Sequence, residues 1–263
     1  MRPLFHTFWL PPPLEVAFSL CLVTIIASGC GFFYKEPTPT QPSELFSLGR
    51  EKLAKKRFSK AKEQFERVLE TASDNELRLQ ALINLADTLY KNGEYEEARF
   101  QYRKFLELYP VHPMAPKAQF QLAMCSFAEI KTPDRDQAIT LEALRQFERF
   151  LQSYPDHPLA SEANQRRAFS INRLAEHDLL VARFYYKQGK YHSAINRLSA
   201  LLDSYPDFAQ SDKALYLLGR SYKQEESLEK ARAAFARLVN EHPDSGYASS
   251  AKRALRKWRK RGG

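Results

Sequence analysis

Cysteine is scarce in this chain: there are three among 263 residues. Cys21 and Cys30 stand near the start, and Cys125 lies in Leu122-Ala123-Met124-Cys125, an apolar helical context that suits a small buried side chain. With the first two assigned below to a leader and its cleavage point, Cys125 has no partner for an internal disulfide, and no paired-Cys zinc spacing exists. The six histidines are scattered, and there is no His-Glu-x-x-His, no glycine-rich phosphate loop and no Gly-x-Ser-x-Gly. The usual signatures of zinc hydrolases, nucleotide-binding folds and serine hydrolases are therefore missing. The reading is a chain with no catalytic residues, no metal and no cofactor. Long hydrophobic runs are also lacking. The apolar stretch from Val16 to Ala27 falls short of the ~20 residues that a membrane-spanning helix needs.

What is present is a repeat. Ala61, Ala98, Ala143, Ala194 and Ala231 each have a large apolar residue four positions on, namely Phe65, Tyr102, Phe147, Leu198 and Phe235. Another follows three later, at Val68, Phe105, Phe150, Leu201 and Leu238. In four of the five, a proline stands twelve residues after the alanine, at Pro110, Pro155, Pro206 and Pro243, with Ser73 in that place in the first. The pattern is that of the second helix of a tetratricopeptide (TPR) unit, a helix-turn-helix of ~34 residues. The alanines are 37, 45, 51 and 37 residues apart, so the second and third intervals carry extra residues, placed around 130–137 and 160–175. First helices are expected around Leu48-Gly49, Leu85-Ala86, Leu122-Ala123, Val181-Ala182 and Leu218-Gly219, where a small residue allows close helix approach. Gly93 and Gly189 suit the left-handed end of a helix. His112, His157 and His242 sit beside prolines as turn residues. The expected fold is all-α, a right-handed TPR solenoid of about five repeats. Residues 247–258, with Ala251, Leu255 and Trp258 on one face, are read as a capping helix.

The apolar run of 16–27 has the length of a signal-peptide core, and Ala27-Ser28-Gly29-Cys30 resembles the lipobox of bacterial lipoproteins. That resemblance implies a leader over 1–29 and a lipidated Cys30, with diacylglycerol and commonly a further acyl chain as the covalent lipid. A polar, proline-rich linker follows to residue 41. Gly31 after the cysteine, where inner-membrane retention favours Asp, implies the outer membrane. The net charge is +9, and seven basic residues crowd between Lys252 and Arg261. Their alternatives are a solvated helix end favoured by the helix dipole, contact with anionic lipid, and nucleic acid, which an exported protein disfavours.

Residues 134–206 carry a more specific signal. They contain Asp134-Arg135-Asp136-Gln137, Asn172-Arg173-Leu174-Ala175-Glu176-His177-Asp178, Val181-Ala182-x-Phe184-Tyr185 and Asn196-Arg197. In these blocks the chain resembles the BamD (ComL) family of outer-membrane assembly lipoproteins, and the resemblance covers essentially the whole chain after Cys30. It implies a non-enzymatic subunit of the β-barrel assembly machine. Its C-terminal repeats (within 111–258, followed by a basic tail at 259–263) would dock on the POTRA domains of a BamA-like barrel protein. Its N-terminal repeats (42–110) would receive unfolded outer-membrane proteins, and other lipoproteins of the machine are further partners. Arg197 matches a family arginine that contacts BamA. Tyr185 and Tyr186 are aromatic candidates for that interface, with packing between repeats as their alternative role.

On helical geometry, the first helices line a groove to which Phe46, Arg50, Leu53, Ile83, Asn84, Asp87, Tyr90 and Lys117 contribute. Arg50 and Lys117, with the Asn84 amide, are the set expected to hold a terminal carboxylate. Phe46 and Tyr90 are the set expected to take an aromatic side chain. Other functions open to a TPR lipoprotein are a secretin pilotin and a peptidoglycan-linked coordinator of the envelope.

Overall fold

The computed structural model describes residues 40–259, and within them there are eleven α-helices and no strand. The expected leader, the expected lipidation site Cys30, most of the expected linker and residues 260–263 lie outside the described residues. The helices are α1 (Pro42–Ala54), α2 (Phe58–Thr71), α3 (Asn75–Asn92), α4 (Tyr95–Leu108), α5 (Ala115–Ala128) and α6 (Ala138–Ser153). They continue with α7 (Ala160–Lys187), α8 (Tyr191–Ser204), α9 (Ser211–Gln224), α10 (Leu228–Glu241) and α11 (Gly246–Arg259). Each helix packs on the next, and first helices also meet across repeats: α1 with α3, α5 with α7, α7 with α9, and α9 with α11. This is an all-α TPR solenoid.

The alanine pattern works as read. Every alanine and both of its following apolar partners are buried, none more than 3% exposed. Spacing of four and three puts them on one face of each second helix. Opposite them lie the small residues of the first helices, Gly49, Ala86, Ala123, Ala182 and Gly219, all buried. At Gly49 and Gly219 the approach is tight enough that an added β-carbon would meet the ring of Phe65 or Phe235 at 2.7 Å.

The turns explain where helices stop. Asp74 caps α3 by accepting from the Leu77 amide (2.9 Å), and Gly93 ends it at φ +82°. Gly189 holds the same left-handed place between α7 and α8. In the first and last repeats Lys56 and Glu226 adopt it instead, at φ 55° and 57°. His112 and His157 are turn residues, as expected. Each Nδ1 accepts from the amide two residues on (Met114, 3.2 Å; Leu159, 3.1 Å), and each ring stands edge-on to Phe105 or Phe150.

The two long intervals resolve differently. One is the connection 129–137 between α5 and α6, and the other is the 28-residue α7. Two helices, α5 and α7, place apolar residues in two cores at once. Ala118, Leu122 and Cys125 of α5 join the N-terminal cluster built on α1–α4, while Phe120 and Ala123 join a central one with Phe147 and Phe150 of α6. Along α7, Ala163 belongs to the central cluster and Ala175, Leu179 and Ala182 to the C-terminal one. The last of these cores is closed by α11 through Ala251 and Trp258.

Candidate functional site

On the N-terminal side the expected residues separate. Phe46 is turned into the core, 9% exposed, with its ring 5.8 Å from that of Phe65. It is a packing residue and presents no surface for an incoming ring; counting back from the alanine fixed its helix but not its rotation. Ile83 is likewise buried, and Leu53 packs against the same core. Arg50 is exposed. The Asn84 amide donates to the Gln80 carbonyl of its own helix (2.8 Å). Tyr90 is half-buried against Tyr95 at 5.4 Å, and burial pushes its phenol above the ordinary range. Lys117 is 3.4 Å from Asp87, whose other oxygen accepts from the buried Tyr102 hydroxyl at 2.6 Å. Burial, followed by the charge of Asp87, drives the Tyr102 phenol far above its usual range, so it is a fixed donor. A ligand carboxylate reaching Lys117 therefore competes with Asp87.

Cys125 is buried, and desolvation pushes its thiol up to about 12, which makes it inert. Among the described residues no group of His, Cys, Asp and Glu is placed to hold a metal ion.

On the C-terminal side two of the three expected residues come together. Tyr185 at the end of α7 and Arg197 on α8 line one open depression of about 400 Å³ with Ser193, Asn196 and Ala200. Arg197 is exposed and has no ion pair within 4.0 Å among the described residues. Beneath it Asp178 is half-buried. Burial raises its carboxyl, while the charges of His177 and Arg197 pull the other way. Tyr186 points elsewhere. Its ring meets Tyr191 edge-on at 5.4 Å and carries the Arg220 guanidinium 5.1 Å from its centroid.

The two sequence blocks that set this chain apart from a generic TPR array meet in space. His177 Nδ1 donates to the Pro133 carbonyl at 2.6 Å, which ties the 129–137 connection to α7. Inside that connection Gln137 donates to the Thr132 and Arg135 carbonyls, and Asp136 accepts from the Ala138 amide. From the second block, Asn172 Oδ1 accepts from the Ala209 amide (3.1 Å), and Glu176 is held by Arg173 at 3.3 Å. The blocks are thus struts that fix how α6, α7 and the α8–α9 turn sit together.

The profile of the YfiO family, described as outer membrane lipoprotein, matches residues 38–234. The chain belongs to this family. Curated relatives agree. Outer membrane protein assembly factor BamD of Rickettsia prowazekii is 26% identical over 241 residues, covering 91% of this chain and 96% of the relative. The protein of that name from Caulobacter vibrioides is 28% identical, covering 79% and 69%. The one from Vibrio cholerae is 30% identical, covering 70% and 80%. Among solved structures, a thermophilic TPR protein in Thermus thermophilus is 18% identical, covers 82% of this chain and 99% of its own, and gives a TM-score of 0.37. The TPR2AB domain of yeast Sti1 is 13% identical, covering 83% and 86%, with a TM-score of 0.41.

The YfiO match starts ahead of α1 and ends inside α10, so it contains the Tyr185–Arg197 depression and both struts, whereas α11 lies beyond it. Sequence reasoning missed a run of cations on the first helices of the last repeats. The signal was available as Arg183 and Lys187, four apart on α7 and therefore on one face.

Proposed function

We propose that this chain is a non-enzymatic lipoprotein subunit that assembles β-barrel proteins in the outer membrane. The observation that carries the reading is family membership across residues 38–234, with relatives that bear the name of an assembly factor. It sits at the periplasmic face of the outer membrane, held by lipid on Cys30. Two or more acyl chains give an attachment that one alone does not. The C-terminal repeats dock on the POTRA domains of a BamA-like barrel protein, and the N-terminal repeats receive unfolded outer-membrane chains.

The Tyr185–Arg197 depression suits the docking role. An open cup beside a ring and a guanidinium with no carboxylate within 4.0 Å among the described residues accepts a carboxylate-bearing side chain from a partner. Arginine and tyrosine are also the residue types that dominate interface energetics. For the receiving role, Arg50 is the exposed cation and Lys117 the one shared with Asp87.

The test is co-purification from detergent-solubilised envelopes, with tagged wild type and Arg197→Glu side by side. Wild type is expected to retain a POTRA-containing barrel protein, and the variant to lose it by roughly ten-fold or more, as for a desolvated charge partner. Recovery of a secretin or a peptidoglycan-binding protein in its place overturns the proposal.

A further inference from the structure

We infer that the first-helix side of the C-terminal repeats is a docking track for an extended acidic segment of a partner protein. The track is separate from the Tyr185–Arg197 cup. Three depressions adjoin one another across α7, α9 and α11. The first, about 310 Å³, runs from Pro133 and Glu176 to Arg183 and Lys213. The second, about 400 Å³, shares Leu179, Arg183 and Lys213 with it and continues to Arg220 and Tyr247. The third, about 180 Å³, shares Tyr216 and Arg220 and ends at Lys257 and Trp258.

Charge names the occupant. Arg183, Lys187, Lys213, Arg220, Lys223 and Lys257 line the track, and none has its charged group within 4.0 Å of a carboxylate among the described residues; the Lys213 ammonium donates to the neutral Gln210 amide at 3.3 Å. The one acidic lining residue, Glu176, is already taken by Arg173. Lys62, Arg99 and Lys117 on other helices each face a carboxylate, Glu94, Glu129 and Asp87, whereas along the track six such cations lie together without one. Unpaired cations gathered in a recess raise the local potential and favour an anionic ligand.

Shape and rings narrow the class. Arg220 is held over two ring faces, 5.1 Å from the centroid of Tyr186 and 5.9 Å from that of Tyr216, so its guanidinium is positioned before any ligand arrives. Tyr247 adds a further ring along the line. Two interhelix spacings of ~8–10 Å separate α7 from α11. At ~3.3 Å per residue that distance takes about six extended residues. A recessed line of cups with charges between them fits a strand of alternating side chains, whereas a flat bilayer surface does not enter it.

The experiment uses the full-length chain in non-ionic detergent and a fluorescent peptide of alternating Asp or Glu with two phenylalanines. Its control replaces every carboxylate by the amide. Anisotropy is expected to show binding of the acidic peptide only, falling steeply with added salt. The Lys213→Glu/Arg220→Glu pair is expected to weaken it roughly ten-fold or more, and Lys213→Arg/Arg220→Lys to retain it. Far-UV circular dichroism shows whether the reversed pair is folded, and Arg183→Gln/Lys187→Gln, at exposed positions, gives the same weakening without charge reversal. Equal binding of the amide peptide, no binding by wild type, or unchanged binding in the folded variants overturns the inference. So does a result in which anionic phospholipid vesicles, and not the peptide, are bound through these cations.

Discussion

At the residue scale, close approach and buried charge decide most. A β-carbon on Gly219 would lie 2.7 Å from the Phe235 ring, and Phe235 is itself 3% exposed with little room to turn. Gly219→Ala is expected to destabilise the chain by about 1–3 kcal/mol, as overpacking does, despite the better helix propensity of alanine. A urea unfolding midpoint at or above that of wild type would refute it. Asp178 poses the opposite problem. Its carboxyl is raised by burial, so the ionised form is less comfortable folded than unfolded. That cost is present at pH values above its folded pKa and disappears as pH falls through it. Asp178→Asn should therefore raise Tm at neutral pH, with the gain shrinking under acid conditions. An equal gain at both ends of the pH range would show that the carboxylate charge is not the cause.

Among the elements, the 129–137 connection and α7 do the positioning. The Pro133 carbonyl can only accept, so the proton in that bond belongs to His177 Nδ1. His177→Ala should release the connection by about 1 kcal/mol, the worth of one such bond. Amide exchange at Arg135 and Ala138 is expected to quicken several-fold while the interior amides of α7 stay as they were. Uniform quickening along α7 would mean that the histidine supports the helix instead. The extra length of both elements was legible in the stretched alanine intervals. Whether the residues became loop or helix was not, because that depends on which neighbour covers them. Tyr185 and Tyr186 were grouped by sequence adjacency, yet neighbours on a helix lie about 100° apart and face different partners. The fate of Phe46 was hidden for a related reason: repeat spacing assigns a residue to a helix, and only the mate across the interface assigns its side. The Tyr102–Asp87–Lys117 chain was hidden too, since it joins three helices.

For the whole molecule, three cores share two helices, and the last core needs a lid. Repeats cannot bury their own faces alone, so a terminal helix with a polar outer side is required. The lid α11 has Ala248, Ala251 and Trp258 inward and Arg253, Arg256, Lys257 and Arg259 outward. A chain ending at Ser245 is expected to self-associate through the uncovered faces of α9 and α10, seen as earlier elution on size exclusion. A monomeric product of full helicity would argue against the capping role. The repeat architecture was readable in sequence down to this helix, because burial at fixed spacing writes a period. Of the charged track beside it only the Arg183–Lys187 pair was readable, since Lys213, Arg220 and Lys257 come from other helices.

Trp258 lies 5.7 Å from Phe235 at the end of this last core. The only other tryptophan in the chain, Trp9, is in the segment assigned to the leader. In a Trp9→Phe chain, emission excited at the red edge therefore comes from one place, the seam between α10 and α11. The molecule carries its own optical gauge of its final repeat. Comparing that signal with far-UV ellipticity during unfolding measures directly whether the C-terminal core melts with the other two or before them.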